Sequence, residues 1–149
     1  MELVFALKSG GTKITEADAL SHIYGCAAGL DMTRRDLQNK AKENRKPWDT
    51  AKDVDESAVI TPLRQMSEVP SVASGRIHLS QNGTVKQDAD LSEMVWSVPE
   101  IIADLSTMYT LQQGDVIYMG TPAGVGAVSR GDVLTGGVEG IGDFEVKIA

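Results

Sequence analysis

Apolar residues in this 149-residue chain fall into short runs separated by glycine, proline and Asn/Asp turns, a rhythm that predicts many strands and few helices. Residues 2–8 form an apolar, β-prone run that stops at Ser9-Gly10-Gly11. Thr15-Glu16-Ala17-Asp18 has the form of a helix start, with Ala17, Leu20 and Ile23 on its apolar side. Residues 23–30 are nearly all small or apolar, as in a strand buried on both faces, and that run ends at Asp31. Thr33-Arg34-Arg35-Asp36 predicts a second helix, capped by Thr33 and polar to about Asn44, before Pro47-Trp48 imposes an extended or turning path.

Residues 59–63 read as a strand that Pro62 confines to an edge or an end. Residues 76–80 and 84–86 flank Gln81-Asn82-Gly83 and predict a hairpin, because Asn-Gly tolerates the positive φ of tight turns. Ser97-Val98-Pro99-Glu100 opens the clearest helix: Ser97 caps it, Pro99 lies in the first turn and Glu100 completes a capping box. Ile101, Ile102, Leu105 and Met108 are its expected buried stripe. Beyond it, turns at Gly114-Asp115, Gly131-Asp132 and Gly142-Asp143 alternate with short apolar runs, one of them a strand over residues 115–119. With no solenoid repeat and no low-complexity linker, residues 1–149 read as a single β-rich α+β domain.

Composition refines this picture. Hydrophobic residues are 42% and charged residues 23%, enough for a globular core, but aromatics are only 5%, so aliphatic side chains must do most of the packing. The net charge of −7 argues against a nucleic-acid binder, which draws its affinity from Lys and Arg on phosphates. The cluster Lys40, Lys42, Arg45 and Lys46 is broken by Glu43 and reads as a solvated helix end. Cys26 is the single cysteine, which rules out an internal disulfide, fits a reducing compartment and reads as core filling. There is no run of the roughly 20 apolar residues a bilayer requires, and no charged-then-apolar leader, so the expectation is a cytoplasmic protein with no membrane partner. Because the chain starts in mid-strand, it reads as a domain truncated at its N-terminus.

Asp31 carries the most chemistry. A carboxylate closing a buried apolar strand is costly unless a cation meets it. Two readings stay open: a divalent metal, or a structural role in which Asp31 caps the following helix or pairs with Arg34 or Arg35. Glu2 leaves another apolar strand and taken alone reads as a frayed terminal residue, with a metal ligand as the alternative. Lys52 reads as a solvated lysine in a turn, or as a fixed cation beside a substrate carboxylate or enolate. The run Gly120-Thr121-Pro122-Ala123-Gly124-Val125-Gly126 lacks the Gly-Lys-Ser/Thr of a nucleotide loop, and residues 127–131 are too short and Gly-broken for the helix of a dinucleotide site. It reads as a sharp turn that leaves Thr121 as a ligand-facing hydroxyl. His22 and His78 read as satisfied or surface histidines.

Several motifs in order resemble the fumarylacetoacetate hydrolase family. They are Gly29-Leu30-Asp31-Met32-Thr33-Arg34-Arg35-Asp36-Leu37-Gln38, Pro47-Trp48 with Lys52, Asp90-Leu91-Ser92-Glu93-Met94, and Gly114-Asp115-Val116-Ile117 leading into the glycine-rich run. The Asp-Met-Thr-x-Arg-Asp-x-Gln form and Pro-Trp are most similar to its acylpyruvate and fumarylpyruvate hydrolase branch. The resemblance implies a mixed β-sandwich roll with a few short helices, commonly a homodimer, holding Mg²⁺ (or Mn²⁺). It implies that Glu2 and Asp31 are metal ligands, that Lys52 faces the substrate's oxygens, and that Arg35, Gln38 and Thr121 line the substrate pocket. The family's metal is held by a Glu-x-Glu pair and an aspartate. The first glutamate of that pair would precede Met1, and the family's proton-transferring His and its acidic partner lie further upstream.

The implied activity is metal-dependent hydrolysis of a carbon–carbon bond in a small diketo acid, releasing pyruvate, as in the degradation of aromatic compounds. Decarboxylation of oxaloacetate or a dioate, keto–enol isomerisation, and a non-catalytic structural fragment are the alternatives.

Overall fold

The computed structural model describes every residue from Met1 to Ala149 and contains two antiparallel sheets packed face to face. In chain order the elements are β1 (Glu2–Leu7), α1 (Glu16–Ala19), β2 (Ile23–Asp31), α2 (Arg35–Glu43), α3 (Asp49–Lys52), β3 (Ala58–Ile60), β4 (Arg64–Gln65), β5 (Arg76–Gln81), β6 (Thr84–Asp90), α4 (Val98–Met108), β7 (Val116–Tyr118), β8 (Val133–Val138) and β9 (Gly142–Lys147). The first sheet runs β3-β2-β1-β7, with β4 also paired to β2; the second runs β6-β5-β8-β9. The β-rich α+β content is what the sequence pattern predicts, and the sandwich with a few short helices is what the resemblance implies.

Strands β1 and β2 owe their central place to nearly continuous apolar sequence, since every residue of β1 is buried and only Tyr24 and Asp31 of β2 reach solvent. Leu3, Phe5, Leu7, Cys26, Ala28 and Leu30 point into the core, where Ile77, Leu134 and Val138 of the second sheet meet them. The opposite face of the first sheet holds Glu2, Val4, Gly29 and Asp31, because Glu2 pairs with Gly29 and Val4 with Ala27. Gly29 is there for space. A Cβ on it would stand 2.7 Å from Val4 Cγ2 and 2.8 Å from both Tyr118 Cε1 and the Val59 carbonyl oxygen. Gly29→Ala is therefore expected to cost about 1–3 kcal/mol, the usual penalty of overpacking, in a urea melt. Unchanged stability would mean the strands have room to part.

Some of the local signals at turns and caps hold and others do not. Asn82 and Gly83 turn the β5–β6 hairpin with φ of 51° and 76°. Ser97 and Glu100 form the reciprocal capping box of α4. The buried side of α4 is Val98, Ile102 and Ser106, whereas Met108 is exposed: α4 meets the core along an i, i+4, i+8 line, and Met108 falls off it in the last turn. Gly142-Asp143 is not a turn but the start of β9; residues 139–141 make the bend. No helix is long and apolar enough to cross a membrane.

Candidate active site

The antiparallel register brings the start of β1 beside the end of β2, and the segment after β7 runs along the other side of the start of β1. At this corner lies a cavity of about 560 Å³ lined by Glu2, Asp31, Lys52, Arg35, Thr121 and Gln87, among others, with residues 124–128 forming part of its wall.

Glu2 is buried, 6% exposed, rather than frayed into solvent. β1 is covered along its whole length, and the Glu2 carboxylate accepts a hydrogen bond from the Gly120 amide at 2.7 Å. Burial pushes its pKa above the ordinary carboxylate value; the Gly120 amide opposes that shift and the Asp31 charge adds to it. The phenol of Tyr118 is likewise pushed up by burial, and then by the charges of Glu2 and Asp31. Its hydroxyl donates to the Val59 carbonyl at 3.0 Å.

Asp31 neither caps α2 nor pairs with Arg34 or Arg35. Its carboxylate is met by the Lys52 ammonium, which also donates to the Thr33 hydroxyl at 2.9 Å. Lys52 is held there because residues 49–52 form a turn of helix after Trp48, and the Arg34 amide donates to the Ala51 carbonyl at 3.0 Å. It is half-buried rather than free in solvent. Thr33 is not a helix cap either, since α2 begins after Arg34 without a side-chain cap. The Thr33 hydroxyl instead donates to the Asp31 carbonyl at 3.3 Å and orients Lys52.

Arg35 lines the cavity and donates to the Gln38 side-chain carbonyl at 2.6 Å. Gln38, one α-helical turn on, is buried behind Arg35 and outside the cavity lining. Thr121 donates to the Met1 carbonyl at 2.9 Å and accepts from the Gln87 amide at 2.9 Å. Five of the six candidate residues thus surround one space; the sixth, Gln38, is not in its lining and braces one of the five, Arg35, from behind. Gln87 and Tyr118 were not singled out from sequence. For Gln87 a signal existed: it alternates with Ala89 on the inward face of β6.

Both histidines lie away from this lining. The His22 Nδ1 is shared between the hydroxyl and carbonyl of Ser9, at 3.0 and 3.2 Å. His78, on β5, is not fully satisfied: its Nδ1 is enclosed without a partner. Cys26 is fully buried, and burial pushes its thiol up to about 11. Its thiolate fraction near neutral pH is negligible, so native protein should resist a disulfide reagent at about pH 8 and react only on unfolding. Rapid labelling of native protein would contradict this placement.

Two hard oxygen donors share one face and one cavity, and the charged form of Glu2 is disfavoured as it stands. Such a donor set fits a hard divalent cation, which would restore the charged form. Nowhere do three or more His, Cys, Asp or Glu side chains come together.

A family model, fumarylacetoacetate (FAA) hydrolase C-terminal, matches residues 1–149. The chain belongs to the fumarylacetoacetate hydrolase family. It is 50% identical to a fumarylpyruvate hydrolase of Ralstonia sp over 148 residues, covering 99% of this chain and 77% of that protein. It is 35% identical to the mitochondrial oxaloacetate tautomerase FAHD1 of Rattus norvegicus, covering 99% and 67%. Among solved structures, the fumarylpyruvate hydrolase of Pseudomonas aeruginosa in complex with Mn²⁺ and pyruvate superposes with a TM-score of 0.96 at 41% identity. That match covers 99% of this chain but only 64% of the other.

Proposed function

We propose that this chain is the core of a metal-dependent hydrolase that cleaves a carbon–carbon bond in an acylpyruvate or fumarylpyruvate and releases pyruvate. The observation that carries this is the pair Glu2 and Asp31 facing one cavity beside Lys52, in a chain 41% identical to a fumarylpyruvate hydrolase solved with Mn²⁺ and pyruvate. Glu2 and Asp31 would hold Mg²⁺ or Mn²⁺, which when bound supplies Lewis-acid polarisation of neighbouring carbonyls.

In this reading water adds its hydroxyl to the distal carbonyl, the carbon–carbon bond breaks with its electron pair passing to a pyruvate enolate, and the proton the water gives up ends on the enolate carbon, which becomes the methyl of pyruvate. The Lys52 ammonium stabilises that negative charge. It is already fixed by Asp31 and Thr33, so no reorganisation is needed as charge develops. The Arg35 guanidinium, anchored on Gln38, pairs with a substrate carboxylate. Thr121 lines the same cavity, its hydroxyl held by Met1 and Gln87. A cytoplasmic homodimer serving aromatic catabolism belongs to the same proposal.

Isomerisation is the second reading, favoured by the 35% identity to the rat tautomerase. Incubation of the protein with fumarylpyruvate, an acylpyruvate and oxaloacetate, each with Mg²⁺ or Mn²⁺, separates the two. Hydrolysis predicts pyruvate and the matching carboxylic acid in equal amounts. Decay of enol oxaloacetate without carbon dioxide, and no pyruvate from either acylpyruvate, would overturn it in favour of the tautomerase.

A further inference from the structure

The buried polar group least explained by this chemistry is Gln87. It is the one fully buried residue of β6, at 2% exposure, in a strand otherwise open to solvent or half-buried. An apolar side chain would fill the same volume without desolvating an amide, so the amide must be used. It is used entirely on the segment after β7, which belongs to the other sheet, and on the start of β1. The Gln87 Nε2 donates to the Thr121 hydroxyl and the Pro122 carbonyl, each at 2.9 Å, with the Ala123 carbonyl at 3.5 Å. Its Oε1 accepts from the Met1 nitrogen at 2.9 Å.

A second contact fixes the same loop. Gly124 has a φ of +100°, and a Cβ there would lie 1.9 Å from the Lys86 carbonyl oxygen. Backbone therefore rests on backbone one residue away from Gln87. What the loop carries is the Gly120 amide, bonded to the Glu2 carboxylate, and the Thr121 hydroxyl.

We propose that Gln87 is a positioning residue: it ties the loop 120–126 to the edge of the second sheet and so sets where the Gly120 amide holds Glu2 and where Thr121 faces the cavity. The part that concerns metal rests on the assignment of Glu2 and Asp31 as a divalent-cation pair. The loop contact itself does not.

The test uses wild type, Gln87→Met, Gly124→Ala and Glu2→Gln. Amide hydrogen exchange across residues 120–126 is measured in metal-free protein, Mn²⁺ affinity by calorimetry, and folding by thermal melting. Gln87→Met, which keeps length and volume, is expected to speed exchange of the Gly120 amide and to weaken Mn²⁺ binding about 10–100-fold, the range seen when groups behind metal ligands are removed. A melting temperature close to wild type would separate this from general loosening. Should Gln87→Met fail to fold, Gly124→Ala pushes the same loop off Lys86 with Gln87 intact and should give the same two changes.

Unchanged exchange in whichever of these variants folds overturns the proposal. So does unchanged Mn²⁺ affinity in a protein whose wild type binds the ion. If wild type and Glu2→Gln bind Mn²⁺ equally poorly, the metal assignment fails by itself, and the exchange measurement alone decides the role of Gln87.

Discussion

In a Lys52→Met variant, turnover of an acylpyruvate falls about 10²–10³-fold, the loss typical of removing one preorganised group that meets developing charge. Lys52 is the cation aimed at the carboxylate corner, held by Asp31 and by the Thr33 hydroxyl. The enolate that it would stabilise exists only as the bond breaks, so the loss should appear in kcat more than in KM. Lys52→Arg should not restore the rate, because a planar guanidinium presents its charge over a wider fork than a single ammonium. Steady-state kinetics with saturating Mn²⁺ checks this, and a kcat within about threefold of wild type would remove Lys52 from the chemistry.

The second large effect is at Asp31. Asp31→Ala is expected to abolish the calorimetric signal of Mn²⁺ binding, a greater loss than the roughly 10–100-fold that follows changes to groups behind the ligands. The register of β1 and β2 puts this carboxylate on the same face as Glu2, and the Asp31 charge is felt in the raised pKa of Glu2. Removing it also leaves the Lys52 ammonium with only Thr33 for a partner, so a fall in stability should accompany the lost binding. If Asp31→Ala and wild type bind Mn²⁺ equally poorly, this pair is not a metal site in the chain.

What was legible in the sequence is what local chemistry decides. Two unbroken apolar runs became the central strands, Asn82-Gly83 became the hairpin turn, and Ser97 with Glu100 became the capping box. These depend on side chains a few residues apart. The partner of Asp31 was not legible. Arg34 and Arg35 stand closer in sequence, but the path of the chain through Trp48 folds Lys52 back across 21 residues. Thr33 looked like a cap because its spacing to Asp36 is right, yet its hydroxyl is taken by Asp31 and Lys52. The burial of Glu2 comes from pairing with β2 on one side and from the residues after β7 on the other, neither visible in the first few residues. The pocket roles of Arg35 and Gln38 rest on family motifs alone; Lys52 and Thr121 each have a ligand-facing reading from the residues, but nothing local to Lys52 distinguishes it from a solvated surface lysine.

Strand β1 lies between β2 and β7, and in the second pair Phe5 meets Ile117. One flank of this greasy ribbon is thus covered by the next strand in sequence, while the other must wait for β7, far along the chain. Such late, distant pairing slows acquisition of native structure and leaves an open β edge on the nascent protein. Expression at lower temperature, or with abundant chaperones, should therefore raise the recovered yield more than it would for a helical protein of equal size.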